Sequence, residues 1–261
     1  MSDTPILELM DVTVPARRNA EVPSVEHVSW AVKAGEFWVI GGLQGSGKSD
    51  FTFMLSGLTK PLAGSFRLFG DDMARHFGDE SLPNRLRIAM VFDDARLFAS
   101  HTIVENVALP VRYHQNLSAE ESASWVEVLM KETGVADFAS DMPASLSRTW
   151  RRRVALARAL ALKPEVVVLE NPLRGLDRWH SSWWVRFATN LVRGHPLMNG
   201  RPVTVIASTD EYWPWRNSGA TFARLDREGF AVIGGTAPVD DAHFELAEAG
   251  VSEQNNGNEN D

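Results

Sequence analysis

The chain has 261 residues, 44 % of them apolar and 23 % charged, with 26 basic against 34 acidic side chains and a formal net charge of −8. Such proportions describe a globular domain and exclude a disordered chain, a collagen and a coiled-coil rod, while the acidic balance argues against a protein that wraps nucleic acid. Cysteine is absent, which excludes disulfide scaffolds, thiolate nucleophiles and cysteine-ligated metal centres and fits a cytoplasmic protein. The most apolar runs, residues 154–162 and 166–169, are separated by Lys163-Pro164 and fall short of the ~18 residues that cross a bilayer. Residues 1–5 carry no basic stretch leading into an apolar run, so no secretion signal is expected.

In chain order, residues 6–14 and 28–32 alternate in part and predict strands, with a turn rich in Pro, Arg and Asn over 15–23. Residues 36–40 form a short apolar run ending in Gly41-Gly42, the pattern of a buried strand entering a tight loop. Phe51, Met54, Leu55 and Leu58 then recur at helical spacing, predicting a helix that opens at Lys48 and stops between Gly57 and Pro61. Residues 64–69 and 88–92 predict further strands, and residues 95–162 read as helical, with Ser118 as the N-cap of a helix carrying Trp125, Val128 and Leu129. The four β-formers at 166–169 predict a central parallel strand buried on both faces, and 203–207 a second one. A helix over 178–192 between them makes a βαβ crossover. Residues 231–233 suggest a final strand pair, and the fully polar end, residues 253–261, predicts disorder.

The chemistry concentrates in Gly42-Leu43-Gln44-Gly45-Ser46-Gly47-Lys48-Ser49, which matches G-x-x-x-x-G-K-[ST] at every fixed position between a strand and a helix. Glycines at this spacing let the backbone curl so that successive N–H groups point at a phosphate, with the helix N-terminus adding its positive end. Lys48 would reach the outer phosphates, and the Ser49 hydroxyl would ligate Mg²⁺. A carboxylate at Asp50 would repel phosphate if it pointed inward, and is expected to point outward.

The remaining landmarks resemble the ATP-binding cassette (ABC) family, the motor subunits of ABC transporters, over roughly residues 5–240. In the family's order, residues 87–93 (RIAMVFD) are similar to the strand ending in the Q-loop, and Leu146-Ser147-Arg148-Thr149-Trp150 stands where the LSGGQ signature belongs. Residues 166–172 (VVVLENP) resemble the Walker B strand, Gly175-Leu176-Asp177 the D-loop and residues 204–210 (TVIASTD) the switch strand. Within the family, Leu97-Phe98, residues 104–110 (VENVALP), 141–143 and 152–158 look like the ATPase of Mla-type phospholipid transporters, while a generic importer subunit shares the same helix.

Against that pattern, the positions that carry catalysis have changed. Asp93 stands for the Q-loop Gln, Arg148 and Thr149 for the signature glycines, Trp150 for its Gln, and only Leu146 and Ser147 survive. Glu170 keeps a carboxylate able to reach Mg²⁺, but Asn171 replaces the catalytic Glu and Thr209 the switch His, and no adenine-stacking aromatic occurs near residues 14–16. Asn171 has no useful basicity to accept a proton from water, and Thr209 cannot carry the charge of an imidazole.

The resemblance therefore implies an α/β P-loop cassette with a RecA-like core, an N-terminal antiparallel β subdomain and a helical subdomain over about 95–162, occupying residues 1–245 ahead of a tail at 246–261. It implies ATP and Mg²⁺ as ligands, the latter on Ser49 and Glu170, and a peripheral place on the cytoplasmic side of the inner membrane through a membrane-embedded permease. It also implies a heterodimer with a complete ATPase, a transported lipid and impaired hydrolysis, with no membrane insertion and no nucleic acid. A working ATPase using Asp93, Asp94 or Glu170 as a substitute base and a nucleotide-free scaffold stay open as alternatives. In a heterodimer, Leu146, Ser147 and Arg148 would cover the partner's nucleotide. The seven histidines lack metal-ligand spacing. Arg151–Arg153, read beside Arg148, is expected to face phosphates or acidic partners, and Trp179, Trp183 and Trp184 to pack in the core or at a dimer contact.

Overall fold

The computed structural model describes residues 4–73, 79–226 and 229–235. Two sheets form its frame. β1 (Leu7–Ala16), β2 (Asn19–Val32), β4 (Ala63–Leu68) and β5 (Asp71–Asp72) make an antiparallel sheet in the order β2-β1-β4-β5. The second sheet runs β10-β9-β3-β8-β7-β6, from β3 (Phe37–Gly41), β6 (Ile88–Val91), β7 (Val166–Leu169), β8 (Thr204–Thr209), β9 (Thr221–Asp226) and β10 (Gly229–Gly234). It is parallel except at β9–β10.

Two of the inner strands of the second sheet, β3 and β7, are short and almost wholly apolar because both of their faces are covered. In β3, Trp38 and Ile40 face the antiparallel sheet, whereas Phe37 and Val39 face the helices, and β7 divides Val166 and Val168 from Val167 and Leu169 in the same way. α1 (Lys48–Leu55) lies between the sheets and buries Phe51, Met54 and Leu55 among Leu7, Val12, Val168 and Ile206. On the opposite face pack α6 (Arg178–Gly194), the crossover helix between β7 and β8, and the helical layer of α3 (Ile103–His114), α4 (Ala119–Glu132) and α5 (Arg148–Leu160). α2 (Leu82–Arg85) is a single turn before β6. The predicted cap at Ser118 is present as a capping box with Glu121, and Thr102 with Glu105 makes a second one ahead of α3.

The predicted turn over 15–23 is a correction. Pro15 pairs with Pro23 and Ala16 with Asn19, so β1 and β2 run on into a tight hairpin at residues 17–18. Neither proline costs a ladder bond to a second neighbour, because β2 is an edge strand and the pairing of β1 with β4 ends at Thr13. The predicted tail at 246–261 lies outside the described residues.

Asp93, just beyond β6, ties the helical layer to the sheet. Its carboxylate accepts from Arg148 Nη2 at 2.6 Å and from Arg152 Nη2, and lies 3.6 Å from Arg174 Nη1. Arg152 is 1 % exposed and also donates to the Asp93 carbonyl at 2.9 Å and the Arg174 carbonyl at 2.7 Å. The pairing expected between this basic cluster and external phosphates or acidic partners is therefore corrected for three of its members, Arg148 being held by the same Asp93 carboxylate. Arg152 is spent on Asp93, and Arg153 is buried with its guanidinium 3.8 Å from the Trp183 ring centroid. Burial there pushes the Arg153 pKa down to about 10.

Two substitutions test this packing. Phe51→Ala should cost about 3–5 kcal/mol in urea unfolding, because a ring wedged between two sheets leaves a cavity that neither can fill. Asp93→Asn should cost about 3 kcal/mol, since the buried Arg152 loses its counter-charge; an unchanged urea midpoint would show that the carboxylate does not hold the two layers together.

Candidate nucleotide-binding site

Parallel register assembles the site. Gly41 pairs with Thr209 and Leu169 with Ala207, so β3, β7 and β8 end along one edge and their next residues, Gly42, Glu170 and Asp210, emerge together. Ligands of open α/β sheets bind at such an edge, beyond the carboxyl ends of the strands.

Gly42 through Ser49 form the loop from β3 into α1. Two glycines are sterically required: a Cβ on Gly42 would lie 2.2 Å from the Leu225 carbonyl oxygen, and one on Gly47, at φ +90°, 2.5 Å from Val25. Gly47 caps α1 without a side-chain hydrogen bond, and Ser46 Oγ is buried with no partner. A helix N-terminus and an orphaned buried hydroxyl facing a glycine-rich loop are what an anionic oxygen would satisfy. Gln44 and Gly45 sit exposed at the tip. The residues present fit a nucleotide's phosphates.

Lys48 is 8 % exposed, and its Nζ donates to the carbonyls of Gly42 at 2.5 Å and Leu43 at 2.8 Å and lies 3.3 Å from Asp210 Oδ1. Desolvation pulls its pKa below the ordinary lysine value, against the opposing attraction of Asp210. Asp50, expected to point outward, is 21 % exposed and held by the β1–β2 hairpin: it accepts from Ser24 Oγ at 2.6 Å and from the Arg17 amide at 3.1 Å.

Glu170 is 6 % exposed; one carboxylate oxygen takes the Asp93 N–H at 3.4 Å and the other lies 3.6 Å from Arg17 Nη1. Among the described residues, no group of three or more His, Asp or Glu is arranged to hold a metal. Ser49 and Glu170 offer two oxygen donors, the number Mg²⁺ commonly takes from protein when phosphates and water complete its shell.

Asn171 adopts φ +42°, a conformation Asn tolerates better than Glu, and its Nδ2 donates to Asp210 Oδ2 at 2.6 Å. Thr209, the expected switch residue, is turned away: it is 2 % exposed, and its hydroxyl is bound to the backbone of Glu211. The next residue, Asp210, faces Lys48 instead. Leu146 is buried in the helical core, Ser147 is the exposed N-cap of α5, and Arg148 is spent on Asp93.

Sequence reasoning missed Asp210 and Arg17. Asp210 stood inside the stretch assigned to the switch, one residue past the assigned position. Arg17 carries no motif, and only the pairing of Pro15 with Pro23 could have placed it at a hairpin tip.

The model of the family described as ABC transporter matches residues 25–174. The spermidine/putrescine import ATP-binding protein PotA of Pseudomonas aeruginosa strain UCBPP-PA14 is 35 % identical over 173 residues, 66 % of this chain and 45 % of that protein. The methionine import ATP-binding protein MetN of Lacticaseibacillus paracasei is 34 % identical over 178 residues, 68 % of this chain and 50 % of that one. The chain thus spans about half the length of the curated relatives it matches. Among solved structures, the dimeric post-hydrolysis state of the ATP-binding cassette MJ0796, bound to ADP and Pi, superposes with a TM-score of 0.76 at 27 % identity, covering 88 % of this chain and 97 % of that one. cbiO1 from Clostridium perfringens shares the fold, with a TM-score of 0.74 at 21 % identity over 97 % of this chain and 94 % of its own. With a phosphate loop at the parallel-sheet edge, a cassette fold and a family model that spans more than half of its length, the chain belongs to the ABC transporter family.

Proposed function

We propose that this chain is the nucleotide-binding subunit of an ABC transporter, that it binds ATP at Gly42–Ser49 and that it is impaired in hydrolysis. The observation that carries the reading is the Lys48 cradle, with its uncapped helix N-terminus and unpartnered Ser46 hydroxyl. Bound nucleotide and Mg²⁺ would bring a phosphoanhydride and a counter-charge. The amides of the loop and Lys48 would hold the phosphates, with Ser49 and Glu170 donating oxygen to the cation.

Impairment follows from what surrounds the place of the attacking water. Asn171 and Thr209 supply no base, and the carboxylates nearby are already engaged, Asp210 by Lys48 and Asn171. Asp93 is claimed by Arg148 and Arg152, Glu170 faces Arg17, and Asp94, with a 69 % exposed side chain, lies 3.5 Å from Arg96 Nε. Loss of a general base typically slows such chemistry by ~10²–10⁴.

Two copies of this chain would make two sites with the same defects, which favours pairing with a complete ATPase. An open groove of about 600 Å³ lined by Met90, Phe92, Phe98, Leu109, Tyr113 and Leu162 offers an apolar seat for a permease segment beside Asp93. Among the described residues no helix is long and apolar enough to cross a membrane, so the membrane contact of this reading runs through that permease. The lipid cargo rests on the stretches at 97–98, 104–110, 141–143 and 152–158; PotA and MetN are named for polyamine and methionine import.

The purified chain should bind a fluorescent ATP analogue, lose at least ~10-fold in affinity on Lys48→Ala as a charged hydrogen-bonding partner disappears, and release no phosphate above background. Sustained phosphate release that Lys48→Ala abolishes would overturn the impaired reading.

A further inference from the structure

An ammonium has three N–H donors, and those of Lys48 meet three internal acceptors: the Gly42 carbonyl, the Leu43 carbonyl and Asp210 Oδ1. The two carbonyls belong to the loop's own frame. Asp210 is instead the residue after β8, with its side chain 40 % exposed. Its second oxygen is anchored by Asn171 Nδ2 at 2.6 Å, so the carboxylate is fixed by residues following two neighbouring strands.

In a phosphate loop the amides at the helix start hold the inner phosphates and the lysine reaches the outermost two. A carboxylate 3.3 Å from Lys48 Nζ competes with a third phosphate for that ammonium and opposes it by like charge, an effect that solvent weakens at a side chain 40 % exposed. The cations around the site already face carboxylates: Arg17 is shared between Asp50 and Glu170, and Arg174, whose charge is felt at Lys48, lies 3.6 Å from Asp93. A diphosphate stops one phosphate short and leaves the Lys48–Asp210 pair in place.

We propose that Asp210 is a specificity-determining residue of this site and selects nucleoside diphosphates over triphosphates by competing with the terminal phosphate for Lys48. The inference rests on the nucleotide-binding reading above and names which nucleotide the site prefers.

Isothermal titration of the full chain with ADP and with ATP, at one fixed Mg²⁺ concentration, tests it. The wild type should bind ADP at least tenfold more tightly than ATP. Asp210→Asn should bring the two within threefold through a gain in ATP affinity that exceeds any change in ADP affinity. Asp210→Ala, which also removes the bond to Asn171, should do the same, and circular dichroism checks that both variants fold. Equal or tighter binding of ATP by the wild type, or an ADP preference that survives in both variants, overturns the selection. Failure of the wild type and both variants to bind either nucleotide overturns the phosphate-loop reading itself, and the selection with it.

Discussion

A buried ammonium governs the architecture of the site. Lys48 is nearly sealed from water at the edge where β3, β7 and β8 end, and a charge in such a place needs partners from the protein. Those partners are two carbonyls of the glycine loop and one carboxylate from the end of β8, so the loop's curl and the strand register are parts of one solution. The glycines let the carbonyls turn in, and the parallel pairing brings Asp210 beside them.

A second knot of charge does for the subdomains what Lys48 does for the loop. Asp93 gathers three arginines from α5 and from the segment after β7, while its own amide reaches Glu170. Asp93 and Arg148, which the sequence reading sets at the Q-loop and the signature, are thereby bonded to each other within one chain. The Asp93 carboxylate is occupied by these guanidiniums, and Arg148 directs one of its nitrogens to that carboxylate. Within this knot the buried Arg152 is the member that most needs Asp93, whereas Arg148, with a side chain 52 % exposed, is also open to solvent.

Local elements are largely legible in the amino-acid order. The 166–169 run, the crossover helix and the cap at Ser118 all appear as expected, because each is specified by residues within a few positions of one another. The hairpin at 17–18 is not legible in this way, because its prolines read as punctuation until β2 is known to be an edge strand. The basic cluster also misleads: consecutive arginines read as a surface, yet the helix turns Arg152 and Arg153 inward toward Asp93 and Trp183.

The amino-acid sequence alone determined the phosphate loop and the presence of Asn at 171 and Thr at 209, since these depend on which residues are present and how they are spaced. Tertiary structure alone decided which charges meet. Arg17 reaches Glu170 from a hairpin far away along the chain, and Asp210 rather than Thr209 faces Lys48. Spacing along a chain fixes local geometry, but the pairing of ions depends on strand order and register, which only the packed sheet establishes.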